Sequence, residues 1–161
     1  TGLRFFTVYG PWGRPDMAPM IFSKAIVESE SIKLFNNGDM KRDFTFIDDA
    51  VEVLIRCSNK LATPDKVFDR YEPNPCTSFS AHRIFNVGNN KAVHLLEFLG
   101  LLEKELGKKA IIKNMDIQPG DVQETLCDNG NLKNWINFYP NTPIEKGIKI
   151  FAKWYLKYKN D

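Results

Sequence analysis

Tyr155 and Lys159 stand four residues apart near the C-terminus. On a helix that spacing stacks an ammonium over a phenol, lowering the phenol's pKa so that it can take a proton from a hydroxyl. The context assigns this pair to structure instead. It occupies the last turn of a terminal helix, Tyr155 falls on the apolar face, and no dinucleotide motif lies upstream. The ten glycines form no G-x-G-x-x-G or G-x-x-G-x-x-G turn, which a dinucleotide needs if its pyrophosphate is to reach a helix N-terminus. Gly10 and Gly13 keep one such interval, but prolines surround them and no helix follows in register. Cys57, Cys76 and Cys127 are odd in number and widely spaced, the pattern of neither a disulfide framework nor a zinc site. They suit a reducing compartment, so a cytoplasmic location is expected. His82 and His94 have no ligand spacing and read as surface or helix-cap residues.

A second group of polar residues sits where ligands bind in α/β proteins. The run Leu3–Tyr9 is aromatic and β-branched, the composition of a buried strand. Gly10, Pro11, Gly13 and Pro15 then force an irregular loop that carries Arg14 and Asp16 just beyond the strand end. In open α/β sheets the ligand crevice forms outside the carboxyl ends of the strands. A rigid surface turn is the alternative reading. Arg42, just ahead of a later strand, reads by itself as a surface arginine paired with Asp39 or Asp43.

The elements that would position these groups alternate strand and helix. A helix is expected over Ala18–Glu28, a strand over Ile32–Phe35, a turn at Asn36–Asp39 and a strand over Phe44–Ile47. Asp49 and Glu52 have capping-box spacing and open a helix that fades near Lys60. Thr63–Arg83, with three prolines, reads as a surface excursion. Strand Ile84–Val87 follows, then a helix from about Val93 to Leu106 closed by Gly107, and an edge strand at Ala110–Lys113. A short helix at Asn129–Ile136 precedes the last one, opened by Thr142, Pro143 and Glu145 and burying Ile144, Ile148, Phe151 and Tyr155. The fold class is α/β.

At 161 residues, 43% hydrophobic and 26% charged, the chain is long enough for one domain with its own core. Its 22 basic against 20 acidic residues lack the excess of a nucleic-acid binder, and Lys104, Lys108, Lys109 and Lys113 read as a solvated helix end. No apolar run has the length of a membrane span, and no signal peptide opens the chain. It begins Thr1-Gly2 and enters a strand at once, which leads us to expect a cut at this point.

Five ordered blocks carry a resemblance along nearly the whole chain. They are Arg4–Pro11, Arg14–Met17, Lys41–Asp49, Phe85–Asn89 and Gln118–Val122. Together they closely resemble the extended short-chain dehydrogenase/reductase superfamily, and within it the UDP-glucuronate 4-epimerases. The resemblance implies the C-terminal part of a Rossmann sheet interleaved with a small α/β substrate-binding domain, in one compact unit of 161 residues. The N-terminal half, with the dinucleotide loop and the catalytic Tyr and Lys, is expected to be absent. NAD then belongs to the complete enzyme, and none is expected to bind this chain alone.

The same resemblance implies half of a UDP-sugar site. Arg42 resembles the arginine that grips the diphosphate, a task suited to a guanidinium fork. Lys33 and Phe35 match the strand that meets the uracil, although Phe35 also reads as plain core. Asp121 matches the carboxylate that accepts from the ribose hydroxyls. Gln118 stands where many relatives carry a second phosphate-binding arginine. Thr7 and Arg14 resemble the groups that accommodate the uronate carboxylate, which needs charge-assisted donors when it leaves water. The implied whole-enzyme reaction is C4 epimerisation of UDP-glucuronate to UDP-galacturonate, with the chain inactive alone. A non-catalytic UDP-sugar-binding or scaffolding module, and half of a nucleotide-sugar dehydratase or decarboxylase, are the alternatives. The missing first strands would leave an unpaired sheet edge, so a homodimer or association through that edge is expected.

Overall fold

Strand pairing in the computed structural model, which describes residues 1–160, joins segments far apart in the chain. Strand β1 (Gly2–Phe5) pairs in parallel with β5 (Ile84–Val87). Strand β2 (Thr7–Tyr9) pairs in parallel with β4 (Lys41–Phe46), and β4 pairs antiparallel with β6 (Ala92–His94). Strand β3 (Ser31–Phe35) pairs in parallel with β7 (Ile111–Met115). Helices α1 (Ala18–Glu28), α2 (Ile47–Ser58), α3 (Leu95–Leu106), α4 (Gly130–Ile136) and α5 (Ile144–Asn160) complete the alternation. This is the α/β class that the hydrophobic patterning implies.

The single opening strand expected over Leu3–Tyr9 is two strands. The N–H of Phe6 still donates to the carbonyl of Val87 at 2.9 Å, and there β5 ends. From Thr7 onward the chain takes β4 as its partner instead. Apolar composition alone carries no record of such a change of partner, because both halves are equally strand-like.

Helix ends match the sequence unevenly. Helix α1 carries Pro19 in its first turn and ends at Ser29, left-handed at φ 59°, with the N–H of Glu30 returning to the carbonyl of Ala25 at 2.8 Å. Gly107 closes α3 at φ 70°. The expected capping box at Asp49 does not form: α2 starts at Ile47 with Asp48 and Asp49 inside its first turn. Asp49 Oδ2 accepts instead from the backbone N–H groups of Asn141 and Thr142, at 3.1 and 2.8 Å, and so ties the approach to α5 onto α2. Helix α3 starts two residues later than expected, since Val93 lies in β6. His94 is its cap, with Nδ1 accepting from the N–H of Leu96 at 3.3 Å.

Two apolar cores result. The larger one packs α1, α3 and α5 on β2, β3 and β4, with Tyr9, Phe44, Phe98 and Phe151 at its centre. Phe44 and Phe98 stack at 4.3 Å between centroids. The smaller one joins α2, α4 and β5 through Val53, Phe85, Val87, Leu132 and Ile136. Helix α2 leaves Val51, Leu54 and Ile55 exposed, and β1 pairs only with β5 among the described residues. No described helix is long and apolar enough to cross a membrane.

Candidate functional site

A cleft of about 530 Å³ opens where the length of β3, the start of α1 and the amino ends of β2 and β4 meet. Alternation along the strands chooses its residues. In β3, Ile32 and Leu34 are buried, while Lys33 and Phe35 turn outward, Lys33 exposed and Phe35 half-buried. Thr7 enters from the first residue of β2 and Arg42 from the second residue of β4. Asp121 arrives from a loop after β7, turned by Gly120 at φ 83°. Thr7, Lys33, Phe35, Arg42 and Asp121 thus share one cleft. Phe35 is a wall of the cleft rather than plain core.

Arg42 is held from three directions. Its Nη1 donates to the carbonyls of Lys41 and Gln123, at 2.9 and 3.2 Å, and its Nη2 donates to Asp121 Oδ1 at 2.8 Å. The partner is therefore neither Asp39 nor Asp43 but a residue far along the chain. Asp121 Oδ1 also accepts from the N–H of Val122 at 2.9 Å.

The other two expected residues lie outside the cleft lining. Arg14 points to solvent and pairs with Asp16, Nε to Oδ1 at 3.1 Å, both side chains largely exposed. Asp16 itself lines the cleft. Gln118 is exposed, and its carbonyl accepts from the N–H of Asp121 at 3.1 Å in the turn that presents the carboxylate. Sequence reasoning missed the apolar side of the cleft, formed by Met17, Ile21, Met40 and Leu95. Helical spacing marks Ile21 as apolar, but nothing local says that it faces a ligand cleft.

Behind the cleft lies Asp43, fully buried. Burial pushes its carboxyl above the ordinary value, while backbone donors from Cys127, Asn89, Asn90 and Lys91 pull it back. Burial and the neighbouring carboxylates of Asp43 and Asp128 push the Cys127 thiol up to about 12.

Tyr155 and Lys159 both lie outside the cleft lining. Tyr155 is 2% exposed within the larger core, and burial raises its phenol further. Lys159 bonds to Glu28 of α1. The described helix starts also fail to fit a dinucleotide's pyrophosphate. Helices α2, α3 and α5 carry Asp48, Asp49, Glu97 and Glu145 in their first turns, carboxylates that repel an anion there. Helix α4 has seven residues, and α1 opens through a proline-rich turn without the glycine cradle.

The chain is 49% identical over 158 residues to Protein CapI of Staphylococcus aureus, covering 98% of the chain and 47% of that protein. A probable UDP-glucuronate 4-epimerase of Rhizobium meliloti is 40% identical, with 96% of the chain and 46% of the relative covered. The solved UDP-glucuronic acid 4-epimerase of Bacillus cereus, in complex with UDP-glucuronic acid and NAD, superposes with a TM-score of 0.79 at 26% identity. That match covers 97% of the chain and 45% of the solved one. The chain spans about half the length of the curated relatives it matches. Residues 1–88 match the model of the NAD dependent epimerase/dehydratase family, more than half of the chain, and to that family this protein belongs.

Proposed function

We propose that this chain is the nucleotide-sugar side of a UDP-glucuronate 4-epimerase, the enzyme that interconverts UDP-glucuronate and UDP-galacturonate with NAD. The observation that carries the reading is the cleft itself, where β2, β3, β4 and the loop after β7 bring Thr7, Lys33, Phe35, Arg42 and Asp121 together. Chemistry divides the ligand among them. The guanidinium of Arg42 meets the diphosphate, the ring of Phe35 and the backbone beside Lys33 meet the uracil, and Asp121 accepts from the ribose hydroxyls. Thr7 and Arg14 serve the uronate carboxylate. Arg14 must exchange Asp16 for it, and an ion pair so exposed is readily given up. Gln118, exposed beside the cleft, adds a neutral hydrogen bond to the phosphates once its side chain turns inward.

Hydride transfer at C4 belongs to NAD bound by the complete enzyme. The residues described here bind and orient the sugar nucleotide, and the chain by itself is inactive. Names and identities of the relatives support this reading, as does the lack of an anion cradle at the helix starts. The open edge of β1 and the exposed Val51, Leu54 and Ile55 support association through that face, as a homodimer or with a complementary half. A nucleotide-sugar substrate and three free thiols fit the cytoplasm.

Titration calorimetry with UDP-glucuronate and UDP-glucose tests the proposal. Tighter binding of the uronate is expected. Equal affinities would remove the uronate assignment, and binding of neither would remove the site. Epimerisation by the purified chain with added NAD would refute its inactivity.

A further inference from the structure

Asp43 lies next to Arg42 on β4 and faces the other side of the strand, away from the cleft and into the protein. Its Oδ1 accepts from the N–H of Asn89 at 2.7 Å, and its Oδ2 from the N–H of Cys127 at 2.9 Å. Its own N–H donates to Thr125 Oγ1 at 3.2 Å. One carboxylate thus ties β4, the turn after β5 and the segment running from Asp121 to Cys127.

That segment lies alongside the start of β4. The N–H of Lys41 donates to the carbonyl of Gln123 at 2.8 Å, and the N–H of Thr125 donates to the carbonyl of Lys41 at 3.2 Å. The junction has no slack. A Cβ on Gly88 would stand 2.3 Å from Cys127 Cβ and 3.1 Å from Asp43 Oδ2, and Asn129 Nδ2 closes the far side on the carbonyl of Gly88 at 3.0 Å. A buried carboxylate is costly unless donors converge on it. Here they come from two segments that meet at this one side chain, beyond the backbone bonds that Lys41 makes to Gln123 and Thr125.

We propose that Asp43 is a positioning residue that fixes the register of residues 121–127 against β4 and thereby holds Asp121 opposite Arg42. This rests on the reading of the cleft as a UDP-sugar site. Asp43 touches no ligand and acts through Asp121. A slip of one residue in an extended segment turns each side chain to the opposite face, which would carry Asp121 away from the guanidinium.

Asp43→Asn is the first test. The amide keeps the size of the side chain but presents an NH₂ group to one of the backbone N–H donors. UDP affinity should fall about tenfold, the loss expected when one hydrogen bond between a charged group and the ligand is misplaced. Combined with Asp121→Asn, it should lower affinity no further than Asp121→Asn alone, because both changes remove the same contact. Thr125→Val loosens the same junction more mildly should Asp43→Asn fail to fold, and should weaken UDP binding about threefold on the same physical grounds. Leu132→Ala, in the smaller core, controls for stability: it lowers the melting temperature and leaves UDP affinity unchanged. Unchanged affinity in folded variants, additive losses, or an equal loss in Leu132→Ala would overturn the proposal. Hydrogen exchange without ligand separates this outcome from failure of the site reading. If the unaltered chain does not bind UDP, the site reading fails. Faster exchange at Lys41 and Thr125 in the Asp43 or Thr125 variants still supports the register role, and unchanged exchange overturns it.

Discussion

Arg42 Nη2 lies 2.8 Å from Asp121 Oδ1, so the cation and the anion proposed to divide a nucleoside diphosphate between them are bonded to each other. On that proposal a phosphate entering the cleft would compete with a carboxylate already in place, and Asp121 would be freed for a ribose hydroxyl as the phosphate takes over. Both side chains are only partly exposed, at 18% and 33%, so the exchange would occur in surroundings drier than the open surface.

Arg42→Lys keeps the charge and loses the planar fork. UDP affinity should fall about tenfold or more, because an ammonium lacks the planar fork that grips two phosphate oxygens side by side while another N–H holds the carbonyl of Gln123. The melting temperature should change little, since a part-exposed ion pair contributes under about 1 kcal/mol. Calorimetric titration beside a thermal melt separates the two effects.

Gly147 in α5 passes directly over Tyr9, where an added Cβ would stand 1.9 Å from the phenol oxygen and 3.0 Å from Phe46 Cδ2. Gly147→Ala should cost roughly 3 kcal/mol by forcing the helix off the core. Tyr9→Phe should cost under about 1 kcal/mol, because its hydrogen bond to the carbonyl of Ile144 is long at 3.5 Å. The double variant should regain part of the loss, as urea midpoints would report.

How much of this was legible in the sequence follows from range. Features closed within a few residues were readable: the extent of α1, the left-handed Gly107, the cap at His94, the buried stripe of α5. The division of the opening strand at Phe6 was not, because it depends on where β5 ends. Asp49 was misread as a local cap because its acceptor geometry is spent on Asn141 and Thr142. Arg42 had two nearby carboxylates to choose from and bonds to neither. The resemblance supplied five residues of the cleft that no local pattern ties together. It placed Arg14 and Gln118 there as well, but Arg14 folds onto Asp16 and Gln118 contributes its backbone to a turn.

The three thiols should react unequally. Cys57 and Cys127 are buried, with their thiols pushed up by burial, Cys127 to about 12, whereas Cys76 lies on the half-exposed excursion. Iodoacetamide at pH 8 should add one adduct to the native chain and three in denaturant, counted by intact mass. Rapid modification of Cys127 in the native state would contradict the packing around Asp43.

Lys159 should matter for anchoring and for nothing catalytic. Its ammonium holds the Glu28 carboxyl below its ordinary value of 4.5. A carboxylate depressed in the folded state stabilises above its unfolded pKa, and that contribution is lost as the pH falls through the folded pKa. Lys159→Met should therefore lower the melting temperature slightly at pH 7, and the difference from the unaltered chain should vanish in acid. UDP affinity should not change.

The parallel pairing of β1 with β5 and of β3 with β7 has a consequence for how the molecule is made. Each early strand must wait for a partner about 80 residues downstream. At ribosomal speeds of about 5–20 residues per second, β1 and β3 spend several seconds without these partners. Contacts of such separation also slow the search for the native topology once the chain is free. The same long-range closures that assemble the cleft make the newborn chain a natural client for chaperones, and its yield should depend on translation rate more than its final stability would suggest.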